Sequence, residues 1–234
     1  MAIADVDFEQ VYQGTTPLAA KIPWDIGRPQ PEIVALEEAG GFRGEVLDIG
    51  CGLGDNAAFL ASRGHRVTGL DGAPTALAEA RARAAAKGLE ITFEQADATR
   101  LDGYEGRFDT VLDSALYHCL DEETRPAYLT ALVRATKPGA QLHMFCFSDA
   151  MPETFPVPAR ISEQSLRETV GQSWRIGRLE PTVYTTSMTR EEALGAVRTA
   201  TPELTPDPAE FAALRTDEQG HVLLPVWRLT AERA

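Results

Sequence analysis

Short apolar runs alternate with stretches of helical spacing through the middle of the chain. Residues 45–49, 66–70, 90–95, 108–113 and 141–147 are apolar runs bounded by glycine or polar turn residues, and they read as strands. Between them lie stretches whose apolar residues recur every three or four positions. A helix over 31–38 opens after Pro29 and Pro31 and ends at Gly40 and Gly41. Further helices are expected over 55–63, over the alanine-rich stretch 74–87 closed by Gly88, and over about 122–136, where Lys137-Pro138-Gly139 stops it. This alternation predicts a parallel sheet with helices on both faces.

The two ends break the rhythm. Residues 1–30 read as irregular, with Phe8, Tyr12 and Trp24 scattered among polar residues. After 148 a helix is expected over 162–170, with Ser162 as its N-cap. Residues 174–186 and 222–230 read as long strands. Between them, 187–220 holds a short helix near 190–200 and Pro202, Pro206 and Pro208. The expected fold is therefore α/β and Rossmann-like. It has a mostly parallel seven-stranded sheet, an antiparallel edge pair, and a helical insertion before the last strand. We read 1–234 as one domain: a cover (1–40), a ligand-binding core (41–148) and a C-terminal part (149–234) with the insertion 187–220.

Apolar residues make up 44% of the chain, enough to fill a core of this size. The formal charge of −13 repels phosphate backbones, and no run of Lys or Arg offsets it, so nucleic acid is not an expected partner. The three cysteines fit no metal spacing and read as reduced thiols, and no metal site is expected. No apolar run approaches a membrane span, and Met1-Ala2-Ile3-Ala4-Asp5-Val6-Asp7 lacks the layout of a signal peptide. A cytoplasmic protein is expected. Its oligomeric state is left open.

The chemistry concentrates in Val46-Leu47-Asp48-Ile49-Gly50-Cys51-Gly52-Leu53-Gly54-Asp55-Asn56, between a strand and a helix. Glycines let a backbone turn tightly and approach a ligand closely. Ligands of open α/β sheets bind at the carboxyl ends of the strands. Asp71, with Gly72 beside it, ends the second strand and suits two ribose hydroxyls. A dinucleotide site wants Gly-x-Gly-x-x-Gly with the pyrophosphate on the helix N-terminus. Here the third glycine comes one position early, and Asp55 stands where the pyrophosphate would sit. Asp48 adds a second carboxylate. S-adenosylmethionine (SAM) carries a sulfonium and an ammonium but no phosphate, so these residues favour it over a dinucleotide. Asp55 also reads as a helix N-cap, and the two roles are compatible.

This segment, with Asp71, Asp97-Ala98 and the strand 108–113 ending at Asp113, resembles the class I SAM-dependent methyltransferases over about residues 40–148. The resemblance implies that Asp71 binds the ribose, that Asp97 and Ala98 lie against the adenine, and that Gly50, Cys51, Gly52, Asp55 and Asn56 hold the methionine end, with Asp48 and Asp113 at the site. Pro23-Trp24-Asp25-Ile26-Gly27 is similar to the N-terminal signature of thiopurine, thiol and halide methyltransferases, which implies that Trp24 covers the cofactor methionine. Tyr117-His118-Cys119-Leu120-Asp121 and Cys146-Phe147-Ser148-Asp149-Ala150-Met151-Pro152 resemble the mycobacterial heterocyclic toxin methyltransferases, which act on hydroxyquinolones and related heterocycles.

Among single residues, His118 follows the fourth strand and reads either as a general base or acceptor-orienting donor, or as a structural histidine. His143 reads as structural, and Trp174 as core. Tyr12, Tyr117 and Met151 are expected to contact a small, flat, mostly apolar acceptor. Arg28 reads as a surface charge or as an anchor of the N-terminal cover. A nucleophilic role for Cys51 is not expected, because nothing implies a base beside it. The expected activity is methyl transfer to an oxygen, nitrogen or sulfur of a small molecule. A SAM-binding protein without transferase activity, or one using the fold for another reaction, is the alternative. Asp113-Ser114-Ala115-Leu116 lacks the Pro-Pro-aromatic signature of base-amino methylation.

Overall fold

The computed structural model describes residues 6–16, 21–153, 155–200 and 207–233; Pro202 and Pro206 of the expected insertion lie outside these. The elements in chain order are α1 (Phe8–Tyr12), α2 (Pro31–Glu38), β1 (Glu45–Ile49), α3 (Asp55–Ser62), β2 (Arg66–Asp71), α4 (Pro74–Ala86), β3 (Thr92–Gln95), β4 (Phe108–Ser114), α5 (Arg125–Ala135), β5 (Thr136–Phe147), α6 (Glu163–Val170), β6 (Trp174–Thr189), α7 (Arg190–Ala200), α8 (Pro208–Ala213) and β7 (His221–Arg233). Among them, no helix is long and apolar enough to cross a membrane.

The seven strands lie in the order β3-β2-β1-β4-β5-β7-β6. The first five in sequence are mutually parallel, and β7 runs antiparallel between β5 and β6. The chain builds outward from β1 to β3, then returns to lay β4 on the other side of β1. That return opens a crevice at the carboxyl ends of β1 and β4, where Ile49 pairs with both Leu70 and Asp113. The buried strand β1 has apolar neighbours on both faces, as a parallel sheet requires.

Two cores flank the sheet. One packs α5 and α6 around Leu47, Val111, Tyr128 and Trp174; the other packs α2, α3 and α4 around Val46, Leu60, Leu77 and Phe145. A third, smaller core joins the insertion to the strand ends through Met188, Val197, Phe211 and Leu224.

The structure corrects two boundaries. Residues 8–12 form a helix where irregular chain was expected. Asp7 caps it by accepting the Gln10 N–H at 3.2 Å, and the element is too short to show a period in sequence. β5 begins at Thr136, ahead of Lys137-Pro138-Gly139. The register with β4 shifts between Phe108 and Thr110, and at such an irregularity a proline costs no ladder bond.

Candidate active site

Loops at the carboxyl ends of β1, β2, β3 and β4 close around a cavity of about 970 Å3. The glycine loop forms one wall. Gly50 and Cys51 donate to the Leu70 carbonyl at 2.8 and 3.0 Å, which turns the loop across the end of β2. Two glycines in it serve different ends. A Cβ at Gly52 (φ +51°) would lie 2.9 Å from the Tyr12 hydroxyl, so glycine there lets the N-terminal helix close over the loop. A Cβ at Gly54 (φ +78°) would lie 2.9 Å from both Ala80 and Phe93, so that glycine serves helix packing instead.

Carboxylates line the same wall. Asp71 accepts the Gly52 N–H at 2.8 Å and the Ala73 N–H at 2.9 Å, one on each oxygen, leaving a lone pair on each for a ligand. Burial raises its pKa, and the backbone N–H donors restrain the rise. Asp48 is 1% exposed, and neither of its oxygens has a hydrogen-bond partner. Burial, then Asp71 and Asp113, push its pKa up to about 7. An unpartnered buried carboxyl facing a cavity beside a second carboxylate fits a cationic ligand and disfavours a pyrophosphate. SAM, implied by the glycine loop, fits this donor set.

Asp55 lines the cavity, but its carboxylate is held by Arg83 at 2.8 Å and Lys87 at 3.5 Å. Its expected place as a charge offered to the cofactor is therefore corrected: two cations of α4 and its C-cap already neutralise it. Asn56 accepts the Gln30 N–H at 3.0 Å and donates to the Ser114 hydroxyl at 3.1 Å, so its amide ties the cover to β4. Asp97 folds back on the Thr99 N–H and hydroxyl at 2.9 and 2.6 Å, with Ala98 and Gly72 also on the wall.

The N-terminal segment closes the opening. Trp24 donates its indole N–H to the Tyr12 hydroxyl at 2.9 Å and packs edge-on against Phe8. Asp25 and Arg83 form a two-pronged ion pair at 3.0 Å on each arm, and Glu9 accepts from the Thr75 hydroxyl and N–H. Gln30 exchanges two hydrogen bonds with the Thr185 backbone on β6. Arg28 lies 3.8 Å from Asp217, which favours its reading as an anchor. Tyr12 thus sits over the glycine loop, on the cofactor side, and not on the acceptor wall expected for it.

His118, in the 3-10 turn Tyr117–Cys119 after β4, faces the cavity from the far side. Its Nδ1 accepts the Phe147 N–H at 3.2 Å, and its ring stacks on that of Phe147 with centroids 3.9 Å apart. Burial, and Arg125 nearby, push its pKa down to about 3, so the imidazole is neutral. A neutral ring whose Nδ1 accepts carries its proton on Nε2. It offers the cavity a donor and has no free basic nitrogen.

Three expected site residues do not line the cavity. Asp113 is fully buried beneath the turn, accepting the Leu116 and Tyr117 N–H groups at 2.8 and 3.2 Å and the Tyr128 hydroxyl at 2.7 Å. It shapes the turn that presents His118. Tyr117 points the opposite way in that turn, into the first core, where its hydroxyl meets Thr169 at 2.8 Å. Met151 is 2% exposed within the third core. Sequence reading also missed wall residues. Ser114, Phe147, Phe155 and Tyr184 lie on the cavity, and the Tyr184 hydroxyl meets that of Ser114 at 3.1 Å. Tyr184 comes from a strand remote in sequence, and nothing in its local pattern marks it.

Comparison with known proteins bears on this geometry. Residues 46–139 match the model of the methyltransferase domain family. The chain is 40% identical over 230 residues to the 2-heptyl-1-hydroxyquinolin-4(1H)-one methyltransferase of Mycobacteroides abscessus, covering 97% of this chain and 96% of that one. It is 29% identical over 132 residues to a probable thiol methyltransferase of Arabidopsis thaliana, covering 55% of this chain and 58% of the relative. A solved structure described as the conversion of a disulfide bond into a thioacetal group during echinomycin biosynthesis superposes with a TM-score of 0.78 at 35% identity. It covers 97% of this chain and 90% of that one. With a glycine loop and paired carboxylates at the sheet switch point and a full-length relative of this similarity, the chain belongs to the SAM-dependent methyltransferases, enzymes that act here on a small molecule.

Proposed function

We propose that the enzyme methylates a hydroxyl oxygen of a small planar heterocycle of the hydroxyquinolone type. The observation that carries this reading is the hydrogen bond from the Phe147 N–H to Nδ1 of His118 on the cavity wall, which leaves Nε2 as the donor nitrogen. The full-length relative's hydroxyquinolone acceptor supports it. An N-hydroxyl conjugated through the ring to a carbonyl is acidic, so it needs a donor that steadies its oxyanion more than it needs a base.

SAM, when bound, supplies an electrophilic methyl on a positively charged sulfur, which departs as a neutral sulfide. The chain's own residues hold the reactants and keep water out. Asp71 accepts from the ribose hydroxyls, and Asp48 balances the cofactor's positive charge. Asp97 and Ala98 flank the base. Trp24 and Tyr12 close over the methionine end. Phe147 and Phe155 line the acceptor's side of the cavity, and His118 donates from Nε2 to its oxygen. Because methyl transfer from such a cofactor to an oxyanion would neutralise both charges, a cavity that excludes water would favour it. On this reading the transfer uses no general base.

On this reading residues 1–40 are the cover, 41–148 the cofactor-binding core and 149–234 the acceptor side, within one domain. The enzyme works in the cytoplasm, without nucleic acid or membrane as partner, on a soluble acceptor. The test is incubation with SAM and a panel of 1-hydroxyquinolin-4-ones, phenols, thiols and an aliphatic amine, with products identified by mass spectrometry. Turnover confined to the hydroxylated heterocycles supports the reading. Preference for the amine would overturn it.

A further inference from the structure

The far end of the cavity is walled by the core of the insertion. Val157, Ala193, Ala196, Val197, Val222 and Leu224 belong both to the third core and to the cavity wall. Phe147 joins the two regions: one face stacks on His118, and the same ring packs against the third core. An acceptor ring held at His118 therefore has this apolar wall as its neighbour.

Among the described residues that line it, this wall is apolar apart from Thr186. Thr186, which also lines the cavity, is already satisfied, donating to the Val222 carbonyl at 2.9 Å and accepting the Met188 N–H at 3.3 Å. Two cations near this wall are held elsewhere. Arg190 donates to the Leu214 carbonyl, and Arg160 to carbonyls of the 151–155 loop. A cavity of about 970 Å3 is at the top of the range for one drug-sized ligand, which leaves this apolar wall as space beyond a cofactor. On α7, Ala193 and Ala196, three positions apart, share a face with Val197, so small side chains stand where larger ones would fill the space.

We propose that this wall is a subsite for an unbranched alkyl substituent of the acceptor, and that Ala193 and Ala196 of α7 set the length of chain it admits. The proposal rests on the hydroxyquinolone reading for the acceptor's head, and the wall's chemistry argues for the tail independently. Each methylene buried there strengthens binding about four-fold, until the chain reaches the end of the subsite.

Two measurements on the full-length enzyme with S-adenosylhomocysteine or SAM test it. The first is the affinity of n-alkanols from butanol to decanol, by calorimetry. It is expected to rise about four-fold per carbon to a plateau, to plateau earlier in Ala196→Phe, and later in Val197→Ala. The second is kcat/KM for 1-hydroxyquinolin-4-ones with 2-alkyl chains from methyl to undecyl. The heptyl-to-methyl ratio is expected to fall at least ten-fold in Ala196→Phe. Val197→Ala removes volume from the wall, so its shift toward longer chains survives even if the phenylalanine variant folds poorly. Alkanol affinity without chain-length dependence, or unmoved in both variants, overturns the subsite. If the alkanol series behaves as expected but no hydroxyquinolone of any length is turned over, the subsite stands and the head-group reading falls.

Discussion

The backbone N–H of Phe147 donates to Nδ1 of His118 at 3.2 Å while the two rings stack, so strand β5 fixes both the tautomer and the plane of this imidazole. The proton on Nε2 makes His118 a hydrogen-bond donor to the acceptor and removes it as a general base. Replacing it with Gln, which keeps a donor, should cost less than replacing it with Ala. For Ala the loss expected is that of one hydrogen bond to a charged oxygen, about 1.5–3 kcal/mol, or roughly ten- to 150-fold in kcat/KM. Across a series of substituted hydroxyquinolones the loss should stay constant or shrink as acceptor pKa rises. A loss that grows with acceptor pKa would return the base role to His118.

Asp48 gives the site a pH dependence. Its pKa in the folded protein, about 7, stands above the ordinary 3.8. The folded state therefore holds more protons than the unfolded chain across that interval. The stability this carboxyl contributes is present below pH 4 and lost as pH rises toward 7. A cation bound in the cavity favours the ionised form, so cofactor binding should release a proton near neutrality, and affinity should climb between pH 6 and 8. Calorimetry in buffers of different ionisation enthalpy reads the proton. In Asp48→Asn both the proton release and the climb should vanish, and the variant should gain thermal stability relative to the parent as pH rises from 5 to 8.

His118 and His143 run the other way. Their folded values, about 3 and about 4, lie below the ordinary 6.5, so what they contribute is present above pH 6.5 and is lost as pH falls toward 4. Nδ1 of His143 faces the Thr230 hydroxyl at 3.1 Å and Nε2 the Gly41 carbonyl at 2.7 Å, far from the cavity. A His143→Gln variant should therefore flatten the acid side of the stability profile and leave the pH profile of kcat unmoved. Thermal melts from pH 4 to 7 beside initial rates separate the two effects.

Arg83 joins α4 to both the cover and the glycine-loop helix, through Asp25 and Asp55. Arg83→Met keeps the aliphatic stem and removes the latch. Arg83 and Asp25 are a quarter exposed and Asp55 less so, and the expected effect is modest: about 1 kcal/mol, seen as a roughly five-fold faster release of S-adenosylhomocysteine in stopped flow. Raising salt should bring the parent toward the variant. Identical release rates at low salt would show that the cover does not gate the cofactor.

Tyr128 donates to Asp113 at 2.7 Å with both groups fully buried. Tyr128→Phe leaves one carboxylate oxygen without its donor, and a stability loss of about 1–3 kcal/mol is expected by chemical denaturation. Because Asp113 caps the turn that carries His118, kcat should fall with little change in cofactor affinity.

The sequence by itself determined the parallel half of the sheet and the place of the glycine loop and Asp71 at the ends of β1 and β2. Short apolar runs between helical stretches leave one way to bury both faces of β1, and the glycine loop followed by Asp71 at the end of β2 needs only a strand, a turn and a helix to be recognised. These features are local, so spacing carries them. The acceptor side was decided by tertiary structure. Tyr117 and His118 are adjacent in a turn, and only the packing of Tyr117 against Thr169 sends one ring into the core and leaves the other on the cavity. Asp55 reads as a charge for the cofactor until α4 brings Arg83 beside it. Tyr184 reaches Ser114 because β7 pairs with β5 on one side and β6 on the other, a juxtaposition of residues 70 positions apart that no periodicity encodes. Local pattern fixes which elements form. Which side chains meet in the cavity follows from how those elements bury their remaining apolar surface against one another.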